Sequence, residues 1–290
     1  MNLPDHSLNQ PITLPARLRR LFRPGEVALI GAGPGDPGLL TVAAWSLLLQ
    51  ADALVYDRLV SPSLLDLLPT ACRQYYVGKS SGRHSLPQDE INQLLLLLAR
   101  QGMRVARLKG GDPFIFGRGG EELEFLLHHG VDCQVAPGIT AASGCTAYAG
   151  IPLTHRDLAH SCRFITGHLQ HNGALDLPWH TMADPGCTLV FYMGQASLEE
   201  ISSNLISAGL PPDTPAMLVG NGTRHDQYIV RSTLSGLEGL VRQHHQGVPT
   251  LIVIGRVVGL LDDRVAEHPA RFHAGRIPMA EPAPREQLCG

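Results

Sequence analysis

Long apolar runs are missing from this sequence. The greasiest stretch, Leu94 to Ala99, is six residues, where a membrane-spanning helix needs about twenty, so a soluble protein is expected. An excess of either charge is also missing: 23 Lys and Arg stand against 26 Asp and Glu, and a net charge of −3 gives no general field to gather nucleic acid or an anionic membrane. Any anionic ligand must be met by a local basic site. Cysteine is sparse and unpatterned. The six thiols, at positions 72, 133, 145, 162, 187 and 289, form no CxxC pair, which argues against a zinc ribbon and against a secreted disulfide framework and predicts reduced thiols in the cytoplasm. The first twenty-odd residues mix Pro, Asn, Asp and Arg without an apolar region, so they do not read as a targeting peptide. Aromatic residues make up only 5%.

What is present, 44% hydrophobic residues in a chain of 290, suits an ordinary globular protein of two domains built from Leu, Val, Ile and Ala. Residues 1–24, with four prolines and Arg17, Arg19, Arg20 and Arg23, read as a solvated tail. From Val27 short apolar runs alternate with helical periodicity. Strands are predicted at Val27 to Gly31, Ala53 to Tyr56, Tyr75 to Val77, Val105 to Leu108 and Asp132 to Val135, with helices at Thr41 to Gln50, Ser61 to Leu68, Gln88 to Gln101 and Glu121 to His129 between them. This α/β pattern indicates a parallel sheet over a domain at 25–137. Pro137 and Gly138 break the chain, and Thr140 can cap a helix of small residues. A second α/β domain is expected at 138–260, with strands near Arg163 to Thr166, Thr188 to Tyr192, Ala216 to Val219, Gln227 to Arg231 and Leu251 to Ile254, and helices near Leu198 to Ala208 and Leu234 to Gln243. Residues 261–290 turn polar and proline-bearing and read as a second tail.

Two glycine-rich loops follow strands directly. The first, Gly31 to Gly38, lies between a strand and a helix, where open α/β sheets bind ligands. A dinucleotide fingerprint fits it poorly: Asp36 stands where a glycine is required, and Pro34 lacks an N–H. The second, Lys109 to Glu122, sets five glycines around an acid, a guanidinium and two phenylalanines, more ligand-contacting groups than a plain connection carries. Asp57 and Lys79 each sit just past a strand end on one rim of the sheet. Taken alone, Asp57 reads more readily as a cap or turn residue and Lys79 as a solvated charge than either does as a catalytic group. His155, His160, His168 and His171 cluster within seventeen residues, yet they match no metal-ligand spacing, and no metal is expected.

In order along the chain stand GAGPGDPGLLT (31–41), VYDRL (55–59), VGK (77–79), RLKGGDPFIFGRGGEE (107–122), PGITAASG (137–144), GIPLTHRD (150–157), FYMG (191–194), NGT (221–223) and GRVV (255–258). This ordered set closely resembles the uroporphyrinogen-III C-methyltransferases, over residues 25–260. The resemblance implies two α/β domains of the tetrapyrrole methylase type, each a mainly parallel sheet flanked by helices, with S-adenosylmethionine in the cleft between them, and a homodimer. It implies donor contacts at Pro34, Gly110, Gly111, Asp112, Ile115, Thr140, Ala141, Met193 and Gly222, a proton acceptor at Asp57 and a proton donor at Lys79. One departure stands out: relatives carry an acidic residue before NGT, and this chain has Gly220, which puts in doubt any polar contact made from that position.

The implied reaction methylates uroporphyrinogen III at two ring positions, giving precorrin-2. A sulfonium methyl is already electrophilic, so alignment is the main task. The implied substrate is a polycarboxylate, for which Arg58, Arg118 and Arg156 are the candidate partners through bidentate pairing, a stability role being the other reading of each. The alternatives are a methylase of the same fold acting on another tetrapyrrole, a modified protein residue or ribosomal RNA, a non-catalytic donor-binding protein, and a nicotinamide enzyme, which would bind NAD tightly. Some relatives carry this module behind a dehydrogenase and ferrochelatase region; with about two dozen residues ahead of it here, a methylase alone is expected.

Overall fold

The computed structural model describes residues 14–78, 86–167, 175–237, 239 and 247–260. The first sheet holds β1 (Val27–Gly31), β2 (Ala53–Tyr56), β3 (Arg73–Tyr76), β4 (Val105–Lys109) and β5 (Cys133–Ala136). Their order is β3-β2-β4-β1-β5, and every pairing is parallel. The inner strand β1, between β4 and β5, is buried at all five positions, as a strand covered on both faces must be.

One face carries Ala28, Ile30, Leu54 and Leu108, packed under Leu47 and Leu48 of α1 (Val42–Leu48) and Leu64 of α2 (Pro62–Leu65). The other carries Val27, Leu29 and Val55 beneath α3 (Gln88–Arg100) and α4 (Gly119–His128). Helix α3 buries Ile91, Leu95 and Leu98 at helical spacing. It has Asp89 and Glu90 in its first turn and Arg100 in its last, as the helix dipole favours. The Thr41 hydroxyl accepts the Ala44 N–H and starts α1.

Helix α5 (Ala141–Tyr148) leads into a second sheet of β6 (Ser161–Thr166), β7 (Cys187–Tyr192), β8 (Pro215–Gly220), β9 (Tyr228–Thr233) and β10 (Thr250–Ile254), ordered β6-β7-β10-β8-β9. Ala142 and Cys145 of α5 pack on one face against Val190, Met217, Val219 and Val253. Ile201 and Leu205 of α7 (Leu198–Ser207), with Met182 of the short α6 (Trp179–Met182), cover the other face over Leu189, Phe191, Leu218 and Ile252.

The expectation of a mainly parallel second sheet is corrected here. Only β6 and β7 run parallel; β10 is antiparallel to both β7 and β8, and β8 to β9. The link from β8 to β9 is the seven residues 221–227, too short for the crossover a parallel pair needs, so the two strands form a hairpin. Apolar runs locate a strand but carry no direction. Of the helix expected at Leu234 to Gln243, half lies outside the described residues, and Leu234 to Gly236 form a turn.

Candidate active site

The first-sheet loops meet at the carboxyl ends of their parallel strands. Gly33 and Gly111 form a two-residue antiparallel bridge, Gly33 N to Gly111 O at 3.1 Å and Gly111 N to Gly33 O at 2.7 Å. The chain entering α5 packs onto the same point. A Cβ on Gly138 would stand 2.1 Å from the Gly111 carbonyl oxygen, and one on Gly31 would stand 2.4 Å from Gly138 N. Three backbones therefore touch where no side chain fits. Asp112 fastens the arrangement, its carboxylate accepting Phe114 N at 2.9 Å and Gly138 N at 3.0 Å.

Asp36, which breaks the dinucleotide pattern, has work of its own. Its carboxylate accepts Gly38 N at 2.7 Å and the Tyr148 hydroxyl of α5, and its N–H reaches Thr223 Oγ1 at 3.0 Å. Burial, and next the bond to Asp36, push the Tyr148 hydroxyl up to about 12. Arg224 adds a second tie between the sheets by donating to the Leu59 carbonyl at 3.0 Å. Within the second half, the Tyr192 hydroxyl lies 2.6 Å from Thr140 Oγ1 and accepts Ala142 N at 2.9 Å. Thr140 thus precedes α5 with its hydroxyl bonded to Tyr192; it makes no side-chain cap.

Between the sheets lies a cleft of about 930 Å³. Pro34 of the first loop lines it, as do Gly110, Gly111, Asp112 and Ile115 of the second, Thr140 and Ala141 at the start of α5, Met193 after β7 and Gly222 after β8. Among the described residues, five non-glycine residues have positive φ, at 48° to 63°: Phe116, Arg118 and Met193, which line the cleft, and Asn221 and Thr223, which flank the lining Gly222. Such backbone is costly and tends to be retained where loops meet ligands. Gly222 sits under Cys145, whose Sγ would be 2.1 Å from a Cβ placed there.

Asp57 lines the cleft just past β2. Its Oδ1 accepts Leu59 N at 3.0 Å, the turn role read from sequence, while its Oδ2 faces Arg107 at 3.4 Å. Arg58 and Arg118 also line the cleft. Arg118 is held in a two-point pair with Glu121, at 3.0 and 2.7 Å. Arg156 is exposed and is not brought to the cleft wall. Lys79 lies outside the described residues, as do His168 and His171. Among the described residues no group of His, Cys, Asp or Glu is placed to hold a metal ion, and no helix is long and apolar enough to cross a membrane.

The sequence reading missed a buried ionic cluster below this cleft. Arg107 and Lys109 alternate along β4 and are 3% and 4% exposed; Glu122 of α4 is fully buried. Glu122 Oε1 accepts from Arg107 Nε at 3.1 Å, Lys109 Nζ at 2.9 Å and Gln88 Nε2 at 3.2 Å. Burial, with Arg107 second, draws the Lys109 ammonium below the usual lysine range against the opposing pull of Glu122. Two cations on alternate positions of an otherwise apolar strand, followed by Glu122 on an amphipathic helix, were the available signal. Arg224 was missed as well; it lines the cleft from the second sheet.

The Gly220 departure has a steric explanation. A Cβ at 220 would fall 2.2 Å from the Tyr228 ring, which packs with Leu218 on the face covered by α7. Val219, its neighbour, faces the cleft. A side chain at 220 would point away from the cleft, so the missing acid removes nothing from its wall.

The profile of the family described as Tetrapyrrole (Corrin/Porphyrin) Methylases matches residues 26–238. The siroheme synthase of Pseudomonas fluorescens SBW25 is 57% identical over 239 residues, covering 82% of this chain and 51% of that protein. That of Gluconacetobacter diazotrophicus is 55% identical over 234 residues, 81% of this chain and 50% of that one. The chain thus spans about half the length of the curated relatives it matches. Among solved structures, uroporphyrin-III C-methyl transferase of Thermus thermophilus complexed with S-adenyl homocysteine is 39% identical with a TM-score of 0.69, covering 81% of this chain and 99% of that one. A cobalt precorrin-4 methyltransferase is 29% identical with a TM-score of 0.71, covering 81% and 96%.

Proposed function

The chain belongs to the tetrapyrrole methylase family, and from that premise we propose that it transfers methyl groups from S-adenosylmethionine to two ring carbons of uroporphyrinogen III, giving precorrin-2 for sirohaem or cobalamin synthesis. The observation that carries this reading is the convergence, on one cleft, of Asp57 and all nine positions that the resemblance implies for the donor. The cleft suits such a group. Its volume of about 930 Å³ stands near the top of the roughly 300–1,000 Å³ range of small-molecule sites. Bare backbone reaches it at Gly110, Gly111 and Gly222, the first and last with no room for a Cβ. A relative of 39% identity has been solved with S-adenyl homocysteine.

When bound, the sulfonium supplies an electrophilic methyl carbon and leaves as a neutral thioether. The protein's part is to align and to move a proton. Pro34, Ile115, Thr140 and Met193 fix the donor from both lobes, which we take as residues 25–137 and 138–260. Asp57 receives, at Oδ2, the proton that the methylated ring system must lose; Leu59 N and Arg107 hold its carboxylate in place. Lys79 is the proposed proton donor. Arg58 and Arg118 stand at the cleft wall to meet substrate carboxylates, and Arg156 is kept as a third candidate on the resemblance. The same resemblance supports a homodimer, and the five cysteines among the described residues, all free thiols, support a cytoplasmic protein.

A second reading, a same-fold methylase acting on a precorrin, is favoured by the likeness to the cobalt precorrin-4 enzyme. Incubation with S-adenosylmethionine and uroporphyrinogen III separates the two. A product heavier by two methyl groups supports the first reading; an unchanged mass, with a precorrin methylated instead, replaces it with the second.

A further inference from the structure

Lys109 ends β4 and lines the cleft, its ammonium buried against Glu122. That ammonium carries three N–H donors. One is spent on Glu122 Oε1 at 2.9 Å, and among the described residues the other two have no acceptor. Arg107 is far better supplied: its Nε meets Glu122, its NH1 the carbonyls of Val55 and Leu108, and its NH2 Asp57. Glu122 places all three of its bonds on Oε1, and its Oε2 is buried without a partner among the described residues.

Charges tell the same story. Arg107 and Lys109 face one fully buried carboxylate, Glu122, and Asp57 offsets Arg107 from the cleft side at 3.4 Å. Lys109 therefore lacks an anion of its own. A buried cation with unused donors is costly to maintain, and the downward pull on its proton affinity has the same origin. The space it faces is the one in which the reactants must sit.

We infer that Lys109 forms a buried contact in the floor of the cleft for one carboxylate of the substrate. The inference rests on the polycarboxylate substrate proposed above. The methyl donor is a poor alternative occupant, because its sulfonium and ammonium outweigh its single carboxylate beside two buried cations. A carboxylate held at the floor would set the rotation of the macrocycle over Asp57, whereas Arg58 and Arg118 act nearer solvent.

The test uses Lys109→Met. To keep the fold where the single change leaves Glu122 uncompensated, Lys109→Met is also made together with Glu122→Gln. Folding is checked by thermal melting. Loss of one charge-assisted contact should raise KM for uroporphyrinogen III roughly 10- to 150-fold, with kcat changed less than about threefold and the affinity for S-adenosyl homocysteine, read by calorimetry, held within about twofold. A folded variant with unchanged KM would reduce Lys109 to a counter-ion of Glu122. Weakened donor binding at constant KM would give the contact to the donor and overturn the inference. If the wild-type protein itself fails to methylate uroporphyrinogen III, the substrate assignment falls first and this contact falls with it.

Discussion

Replacing Glu122 with leucine removes the acceptor of two buried donors, Arg107 Nε and Lys109 Nζ, and of the half-buried Gln88 Nε2. Arg107 keeps Asp57 and two carbonyls, but Lys109 keeps no described partner. Removing one member of a buried ion pair costs about 3–5 kcal/mol. At about 2–4 °C per kcal/mol for a chain of this size, the melting temperature should fall by roughly 6–20 °C. The pH dependence gives a second, sharper reading. The Lys109 ammonium is already drawn below its ordinary value in the folded protein, first by burial, and loss of Glu122 must lower it further. A lysine whose folded value lies under its unfolded one binds fewer protons folded than unfolded, so stability rises with pH between the two values. The variant should regain stability over a wider alkaline span than wild type, and Glu122→Leu with Lys109→Met should recover much of the loss at neutral pH, because an apolar pair replaces an ionic one. Differential scanning calorimetry across pH 6 to about 10 reads all of this. A Glu122→Leu protein melting within about 2 °C of wild type at neutral pH would refute the reasoning.

Three further outcomes follow from the geometry. Asp57→Asn should lower turnover by about 10²- to 10⁴-fold while leaving donor affinity by calorimetry near wild type; undiminished turnover would take Asp57 out of the reaction. Gly222→Ala must push a methyl into the Cys145 sulfur, now 2.1 Å from that position, at a cost of about 1–3 kcal/mol and with weaker donor binding. Combining it with Cys145→Ala should restore most of both, and failure of that rescue would show that the conflict lies elsewhere. Gly220→Asp should destabilise by driving a side chain into the Tyr228 ring without altering KM for either reactant, and a specific kinetic defect in a fully stable variant would contradict the outward orientation of that position.

Much of the first lobe was legible because a buried parallel strand writes itself as a short apolar run, and because Gly102 and Gly130, both with positive φ, mark helix ends plainly. The strands of the second sheet were located with equal ease, but their directions were not. Direction depends on which strand β10 slips between, a choice made by tertiary packing that leaves no period in the sequence. At the site, glycine and proline signatures marked the loops that line the cleft. The ionic floor of Arg107, Lys109 and Glu122 was hidden within a motif already taken as a ligand loop. Arg224 escaped because nothing local distinguishes it from a surface arginine; its place at the cleft depends on Leu59, 165 positions away.

The contact of Gly31, Gly111 and Gly138 bears on how the chain acquires its shape. The seat for residue 138 is made of Gly31, the last residue of β1, and Gly111, in the loop two residues past β4, so it does not exist until those strands have paired. During synthesis from the amino end, the segment entering α5 has nowhere to dock before the earlier half is assembled. The amino-terminal lobe is then a template on which its successor is laid down, and a methyl added at either glycine should delay maturation of the downstream half before it disturbs the upstream one.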